Sequence, residues 1–393
     1  MPLSRTALLI LAISAVTAAL VPGRVAADSG APGDVDVRKR IRADQWHLRY
    51  LRIDEAHQIA TGKGVTVAIP DTGVDPHPDL KDNLLPGIDI IPGGAGDGRN
   101  DADSHGTSMA GLIAAHGQGD QLGALGVAPM AKILPIFSSP ANREGQPDAL
   151  AEAIEYAVRR DAGVISVSSV GAESPRLRRA IGLALASDTI VIAGVGNAPR
   201  DQTIGYPANQ AGVIAVAGVG RDGNHAAVSV RGTKIDLAAP AVDIYSTSYD
   251  GKYSKGTGTS SATAIVAGAA ALVRSKYPYL PAREVVHRLT ATAVDKGPPG
   301  RDDEYGYGVI DIVAALTADV PPLEFESATA TAPAGGSAGT TAAGTPPGDG
   351  GGDRAATVRG MVTLGVIVAG GVIWALVVRR RRRGDDPPPR ISH

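Results

Sequence analysis

Between about Leu51 and Ala318, short apolar runs alternate with segments whose apolar residues recur every three or four positions. The runs are Val65-Thr66-Val67-Ala68-Ile69, Ile133-Leu134-Pro135-Ile136, Val164-Ile165-Ser166-Val167, Ile190-Val191-Ile192-Ala193 and Val213-Ile214-Ala215-Val216. Rich in β-branched side chains, they suit strands buried on both faces of a parallel sheet. Between them, Leu150, Ile154 and Val158 share one helical face with Ala153 and Ala157, and Leu177, Ile181 and Leu185 repeat the spacing. The alternation predicts a doubly wound α/β domain, its mostly parallel sheet carrying helices on both faces. Ligands of such sheets bind outside the carboxyl ends of the strands.

The pattern changes at both ends. Arg5 followed by the apolar stretch Ala7 to Leu20, the breakers Pro22 and Gly23, and the small residues Val25-Ala26-Ala27 predict a secretion signal over 1–27. Residues 28–50 are polar, with Arg38, Lys39, Arg40 and Arg42 close together. They read as a propeptide or as an extension on the domain surface, and Trp46 and Leu48, as anchors, favour the second. From 319 to 359 the chain is mostly Ala, Gly, Thr, Ser and Pro, too poor in apolar groups to offset chain entropy, which predicts a flexible tether. Its r.m.s. reach is about 35 Å for roughly 40 residues. Gly360 to Val378 carries no charge and approaches the ~20 residues that a helix needs to cross a bilayer. Arg379 to Arg383 follow it, and positive flanks stay inside. A plasma-membrane protein with one C-terminal transmembrane helix over 360–378, an extracellular domain over 51–318 and a basic cytoplasmic tail over 379–393 is expected.

Composition removes some chemistries. The chain of 393 residues has no cysteine, which excludes a thiol protease or thiolate-held zinc and leaves stability to the core. A formal net charge of −2 offers no broad attraction to nucleic acid, and no nucleic-acid partner is expected.

Three blocks carry the candidate chemistry: Asp71-Thr72-Gly73, His105-Gly106-Thr107 and Gly258-Thr259-Ser260. A serine nucleophile needs a base, and the base needs an orienting carboxylate. Asp71 ends the first strand. Pro70 before it cannot donate to a ladder, so pairing is expected to stop at Ile69. His105 precedes Met109, Leu112 and Ile113 in helical spacing, so it starts a helix, whose dipole favours the neutral imidazole of a general base. His77 lies in a Pro-rich turn, His116 at a helix end and His393 in the tail. His47, His57, His225 and His287 stand among surface-type residues, and none of these seven is expected to be catalytic. Ser260 opens the apolar helix Ala262 to Tyr277, and its place in the first turn aims its hydroxyl out of the helix; adjacent Ser261 leaves the nucleophile open by chemistry alone. Asn197 follows the Ile190 strand across Gly196, where its amide could donate to an oxyanion. Asp97, Asp101 and Asp103 lack the spacing of a known calcium loop; a solvated loop, no metal and no cofactor are expected.

These blocks, in the order Asp, His, Ser, resemble a subtilisin-type serine protease from Val65 to about Ala315. The resemblance implies Asp71, His105 and Ser260 as catalytic residues and Asn197 as oxyanion donor. It also implies Ser168, Ser169, Val170 and Gly171 as the substrate-binding segment. Gly126-Val127-Ala128-Pro129, Ala131-Lys132-Ile133-Leu134-Pro135, Tyr305-Gly306-Tyr307-Gly308 and the predicted leader, tether and span are similar to the mycosin branch. Those are membrane-anchored subtilases linked to type VII secretion in actinobacteria, which implies a polypeptide substrate, the plasma membrane and a type VII secretion membrane complex as partners. The chain departs from the family at Pro70, at Ser261-Ala262-Thr263-Ala264 where Met-Ala-x-Pro is usual, and at Val170, which narrows the specificity pocket where Gly is usual. These departures motivate an alternative, a scaffolding subunit of the secretion machinery with weak or no activity.

Overall fold

The computed structural model describes residues 32–323, except 93–95, 102 and 141–145. The predicted leader over 1–27, the span over 360–378, the basic tail over 379–393 and all of the tether beyond 323 lie outside the described residues. Among the described residues, no helix is long and apolar enough to cross a membrane.

Seven strands form one parallel sheet. They are β1 (Thr66–Asp71), β2 (Ile88–Asp89), β3 (Lys132–Phe137), β4 (Val164–Val167), β5 (Ile190–Gly194), β6 (Ile214–Val219) and β7 (Leu237–Pro240), in the order β2-β3-β1-β4-β5-β6-β7. Because successive side chains point to opposite faces, every strand but the two-residue β2 feeds two cores. Val67, Ile69, Ile133, Val164, Ile190, Ile192 and Val216 enter one of them. There they meet α4 (His105–Ala114) and α7 (Thr259–Lys276). Ala68, Leu134, Ile136, Ile165, Val167, Val191 and Ala193 enter the other, against α5 (Pro147–Arg159) and α6 (Pro175–Ala186). The central strands are buried on both sides, as near-continuous apolar runs require.

A separate antiparallel pair, β8 (Ile244–Thr247) and β9 (Tyr253–Gly256), lies beside α4, where Ser246 Oγ donates to Ser108 O at 2.7 Å. Helices α8 (Ala282–Ala291) and α9 (Ile312–Thr317) complete the α7 side.

Pairing does not stop at Ile69. β1 stays in register with β3 through Pro70 and Asp71, whereas its register with β4 ends at Ala68. The Asp71 carbonyl accepts from Ser138 N–H on the β3 side, so alternation turns the Pro70 nitrogen toward β4, where no ladder remains to need a donor.

Ahead of β1 come α1 (Pro32–Asp44), α2 (Trp46–Tyr50) and α3 (Ile53–His57). Trp46 and Leu48 are buried, and Trp46 Nε1 donates to Val242 O at 3.0 Å. Gln45, fully buried, donates to Leu125 O and Tyr245 O and accepts from Leu125 N. Arg42 donates to Leu122 O and Gly123 O. Residues 36–50 are thus part of the domain's packing. His47 is fully buried rather than surface-exposed, and both its ring nitrogens lack a partner; burial lowers its pKa to about 3.

Candidate active site

Asp71 ends β1, the Ser168–Val170 segment follows β4, and Asn197 follows β5, so the carboxyl ends of adjacent strands supply one side of a cleft of about 780 Å³. The N-termini of α4 and α7 supply His105 and Ser260 from the other side. Asp71, His105, Ser168, Ser169, Val170, Asn197 and Ser260 all line the cleft. Gly171 does not; its N–H pairs with Tyr206 O at 3.0 Å and pins the end of the segment.

His105 is the first residue of α4, after Ser104 in the left-handed region with φ of 81°. Its Nδ1 lies 2.7 Å from Asp71 Oδ1, which also accepts the Thr72 N–H at 2.8 Å. Gly106 lets the two elements approach: a Cβ there would stand 2.0 Å from Gly73 O. The helix start does not leave the imidazole neutral. Burial alone lowers its pKa, but the Asp71 carboxylate, the hydrogen bond to it and the charges of Asp103 and Asp101 outweigh burial and push it up to about 9.

Asp101 is not part of a solvated loop. It is buried at 5 % exposure. Its Oδ2 accepts from the N–H and Oγ1 of Thr107, and its Oδ1 from Thr72 Oγ1 and the N–H groups of Asp103 and Ser104. Thr72 Oγ1 in turn accepts from Gly106 N–H at 3.0 Å, so Asp101 joins the turn after Asp71 to the first turn of α4. Among the described residues, no group of three His, Asp or Glu side chains is arranged to hold a metal ion.

Helix α7 begins at Thr259, three residues before its apolar stretch, and Ser260 is its second residue, in the first turn. Ser260 Oγ donates to Ser168 O at 3.2 Å, and Ser168 Oγ donates to Ser260 O at 3.4 Å. Ser261 is buried. Asn197 Oδ1 accepts from Thr259 N–H at 2.9 Å and from Thr259 Oγ1 at 3.3 Å. A backbone donor can face only the amide oxygen, so the Thr259 contact fixes which end of the amide is oxygen and leaves the NH₂ as the other end. Val170 lies against Gly205, where a Cβ would stand 2.5 Å from Val170 Cγ1. None of the other described histidines lines the cleft.

The roles of Thr259 and Asp101 are not legible in the sequence, although each holds a neighbouring residue of the cleft through hydrogen bonds. The one signal for Thr259 is its place beside Ser260; Asp101 joins the turn after Asp71 to α4 across a loop whose closure no local pattern reveals.

A family model described as "Subtilase family" matches residues 62–308. Mycosin-1 of Mycobacterium tuberculosis is 34% identical over 334 residues, covering 70% of this chain and 74% of that protein. The crystal structure of MycP1 with the N-terminal propeptide removed has a TM-score of 0.64 at 32% identity, covering 70% of this chain and 98% of that one. The structure of MycP3 protease from the type VII (ESX-3) secretion system has a TM-score of 0.61 at 33% identity, over 70% of this chain and 88% of that one.

Proposed function

Because the chain belongs to the subtilase family and is a subtilisin-like serine protease related to the mycosins, we propose that Asp71, His105 and Ser260 are its catalytic triad. The observation that carries this reading is the 2.7 Å contact between His105 Nδ1 and Asp71 Oδ1 at the wall of the cleft that Ser260 and Asn197 also line. Ser260 Oγ turns from Ser168 O toward His105 Nε2 and attacks the scissile carbonyl carbon, giving its proton to the imidazole. Asp71 holds the tautomer with Nδ1 protonated and stabilises the imidazolium. Asn197 Nδ2 and the Ser260 backbone N–H donate to the oxyanion, a contribution of roughly 3–4 kcal/mol per donor. His105 returns the proton to the leaving amine, and water then releases the acyl group from Ser260. The Ser168–Val170 segment pairs with the peptide in strand fashion.

The uncharged stretch over 360–378 and the arginines after it support an enzyme held at the outer face of the plasma membrane. The likeness to MycP3 from a type VII secretion system supports a role beside such machinery. One observation favours the scaffolding alternative: the Ser260 hydroxyl rests on Ser168 O. A fluorophosphonate probe decides between them. Wild type is expected to label and to cleave peptides, and Ser260→Ala to do neither; equal labelling of the two proteins leaves the scaffold.

A further inference from the structure

The side chain of Asn197 is useful to an oxyanion only if its amide nitrogen is held at one point. Asn197 follows Gly196, whose φ is +108°, and forms an isolated antiparallel bridge with Ser229, in which Ala198 N–H donates to Val228 O at 2.8 Å and Val230 N–H to Gly196 O at 3.2 Å, so the N–H, C=O and side chain of Asn197 itself stay outside that pairing. Two ties fix it. From one side, Thr259 at the start of α7 donates its N–H and its Oγ1 to Asn197 Oδ1, which settles the side chain. From the other, Asp201 Oδ2 accepts the Asn197 N–H at 2.6 Å, while Asp201 N–H donates to Asn197 O at 2.9 Å. Both backbone polar groups of Asn197 are therefore spent on one residue four positions on.

Asp201 is itself held. Arg200 donates to it through Nε and Nη2, at 3.2 and 3.0 Å, and its side chain is 15% exposed. Gly196 stands against it: a Cβ at 196 would lie 3.0 Å from Asp201 Cβ. Burial alone raises its pKa, but the Arg200 pair and the Asn197 N–H more than offset that, so the carboxylate is ionised at neutral pH. An ionised acceptor makes the bond to Asn197 N–H a charge-assisted one, shorter and stronger than a neutral bond. Asp201 also lines the cleft, at the margin where Asn197 enters it.

We propose that Asp201 is a positioning residue for the oxyanion donor: its carboxylate clamps the Asn197 backbone so that the amide held by Thr259 presents Nδ2 to the reacting carbonyl. This rests on the reading of Asn197 given above. The clamp matters only once charge develops on that oxygen, so its loss acts on the transition state and not on the bound peptide.

The experiment is steady-state peptide hydrolysis by the full chain and its Asp201→Ala, Asp201→Asn, Asn197→Ala and Asp201→Ala/Asn197→Ala variants, with thermal melts on each. Removing an oxyanion donor costs about 10²–10³ in kcat. Asp201→Ala is expected to lower kcat by about ten- to a hundredfold with KM within about twofold, as loss of a transition-state interaction requires. Asp201→Asn, which keeps an oxygen acceptor, is expected to recover most of that loss. The double variant is expected to be no slower than Asn197→Ala alone, because one group acts through the other. A kcat unchanged in Asp201→Ala, losses that multiply in the double variant, or a rise in KM that tracks a fall in Tm would overturn the proposal. Wild-type turnover no greater than that of Ser260→Ala overturns the catalytic reading and the clamp with it; turnover with multiplying losses overturns the clamp alone.

Discussion

His105 carries the clearest consequence of one residue's surroundings. A general base must be neutral, and the neighbouring carboxylates hold this imidazole protonated up to about pH 9. kcat/KM is therefore expected to rise about tenfold per pH unit below that value and to level off near it. The stability effect has the opposite sign. The folded pKa lies above the unfolded value of about 6.5, so the His105–Asp71 pair contributes fully below pH 6.5 and loses its contribution as pH rises through about 9. The Tm difference between wild type and His105→Ala should shrink over that interval while the rate climbs. A rate profile already flat between pH 7 and 9 would mean that the carboxylates do not raise the His105 pKa this far, and would leave its role as base untouched. Asp101 is a second residue whose environment sets its role. Alanine there strands the Thr107, Ser104 and Asp103 N–H groups and two hydroxyls, and each buried orphan costs about 1–3 kcal/mol. Asp101→Ala should lower the denaturation midpoint and kcat together, whereas Asp101→Asn retains part of both.

Where elements meet, the site depends on how closely the end of β1 approaches the start of α4. Gly106→Ala places a methyl group 2.0 Å from Gly73 O, so the helix start must move off the turn that carries Asp71. Activity should collapse, and the His105 pKa followed by NMR should fall back toward 6.5 as the pair separates. The segment after β4 sets the other wall. Val170 fills the space against Gly205, so Val170→Gly should improve cleavage after large side chains and leave cleavage after alanine nearly unchanged, as a substrate library would show. Much at this scale was legible in the sequence. Each of the five β-branched runs overlaps a strand of the sheet, because a strand buried on both faces must be apolar at nearly every position. The short strands β2 and β7–β9 escaped. β2 has only two residues, β7 reads Leu-Ala-Ala-Pro without β-branched side chains, and β9 faces solvent at its end. The start of α7 at Thr259 lies one residue before Ser260, which the sequence places in the first turn, and only the apolar part of the helix begins later because that turn is polar. Pro70 misled because a parallel strand's two edges are separate ladders, and only one of them continues past Ala68.

Across the whole molecule, buried and half-buried histidines set a limit at acid pH just as His105 sets one at the alkaline side. His47, His57, His77 and His225 all have pKa values lowered chiefly by burial, and His47 is pushed down to about 3 with neither ring nitrogen bonded. An unfolded chain takes up protons at these positions from about pH 6.5 downward, and the folded one refuses them. Stability must therefore fall as pH drops from 6.5 toward 3. His47 belongs to α2, between Trp46 and Leu48 in the core, so its share of this loss is borne where the N-terminal helices join the sheet domain. No residue of 36–50 lines the cleft, so this junction can loosen without a group leaving the site. His47→Leu removes the refused proton and two stranded nitrogens at once. Its urea midpoint should exceed that of wild type by a margin that widens from pH 7 to pH 4.5, the other histidines contributing equally to both proteins. A constant margin would mean that His47 escapes burial before the domain unfolds. In that case the extension opens as a unit of its own, and hydrogen exchange at 36–50 should be faster than in the strands at every pH.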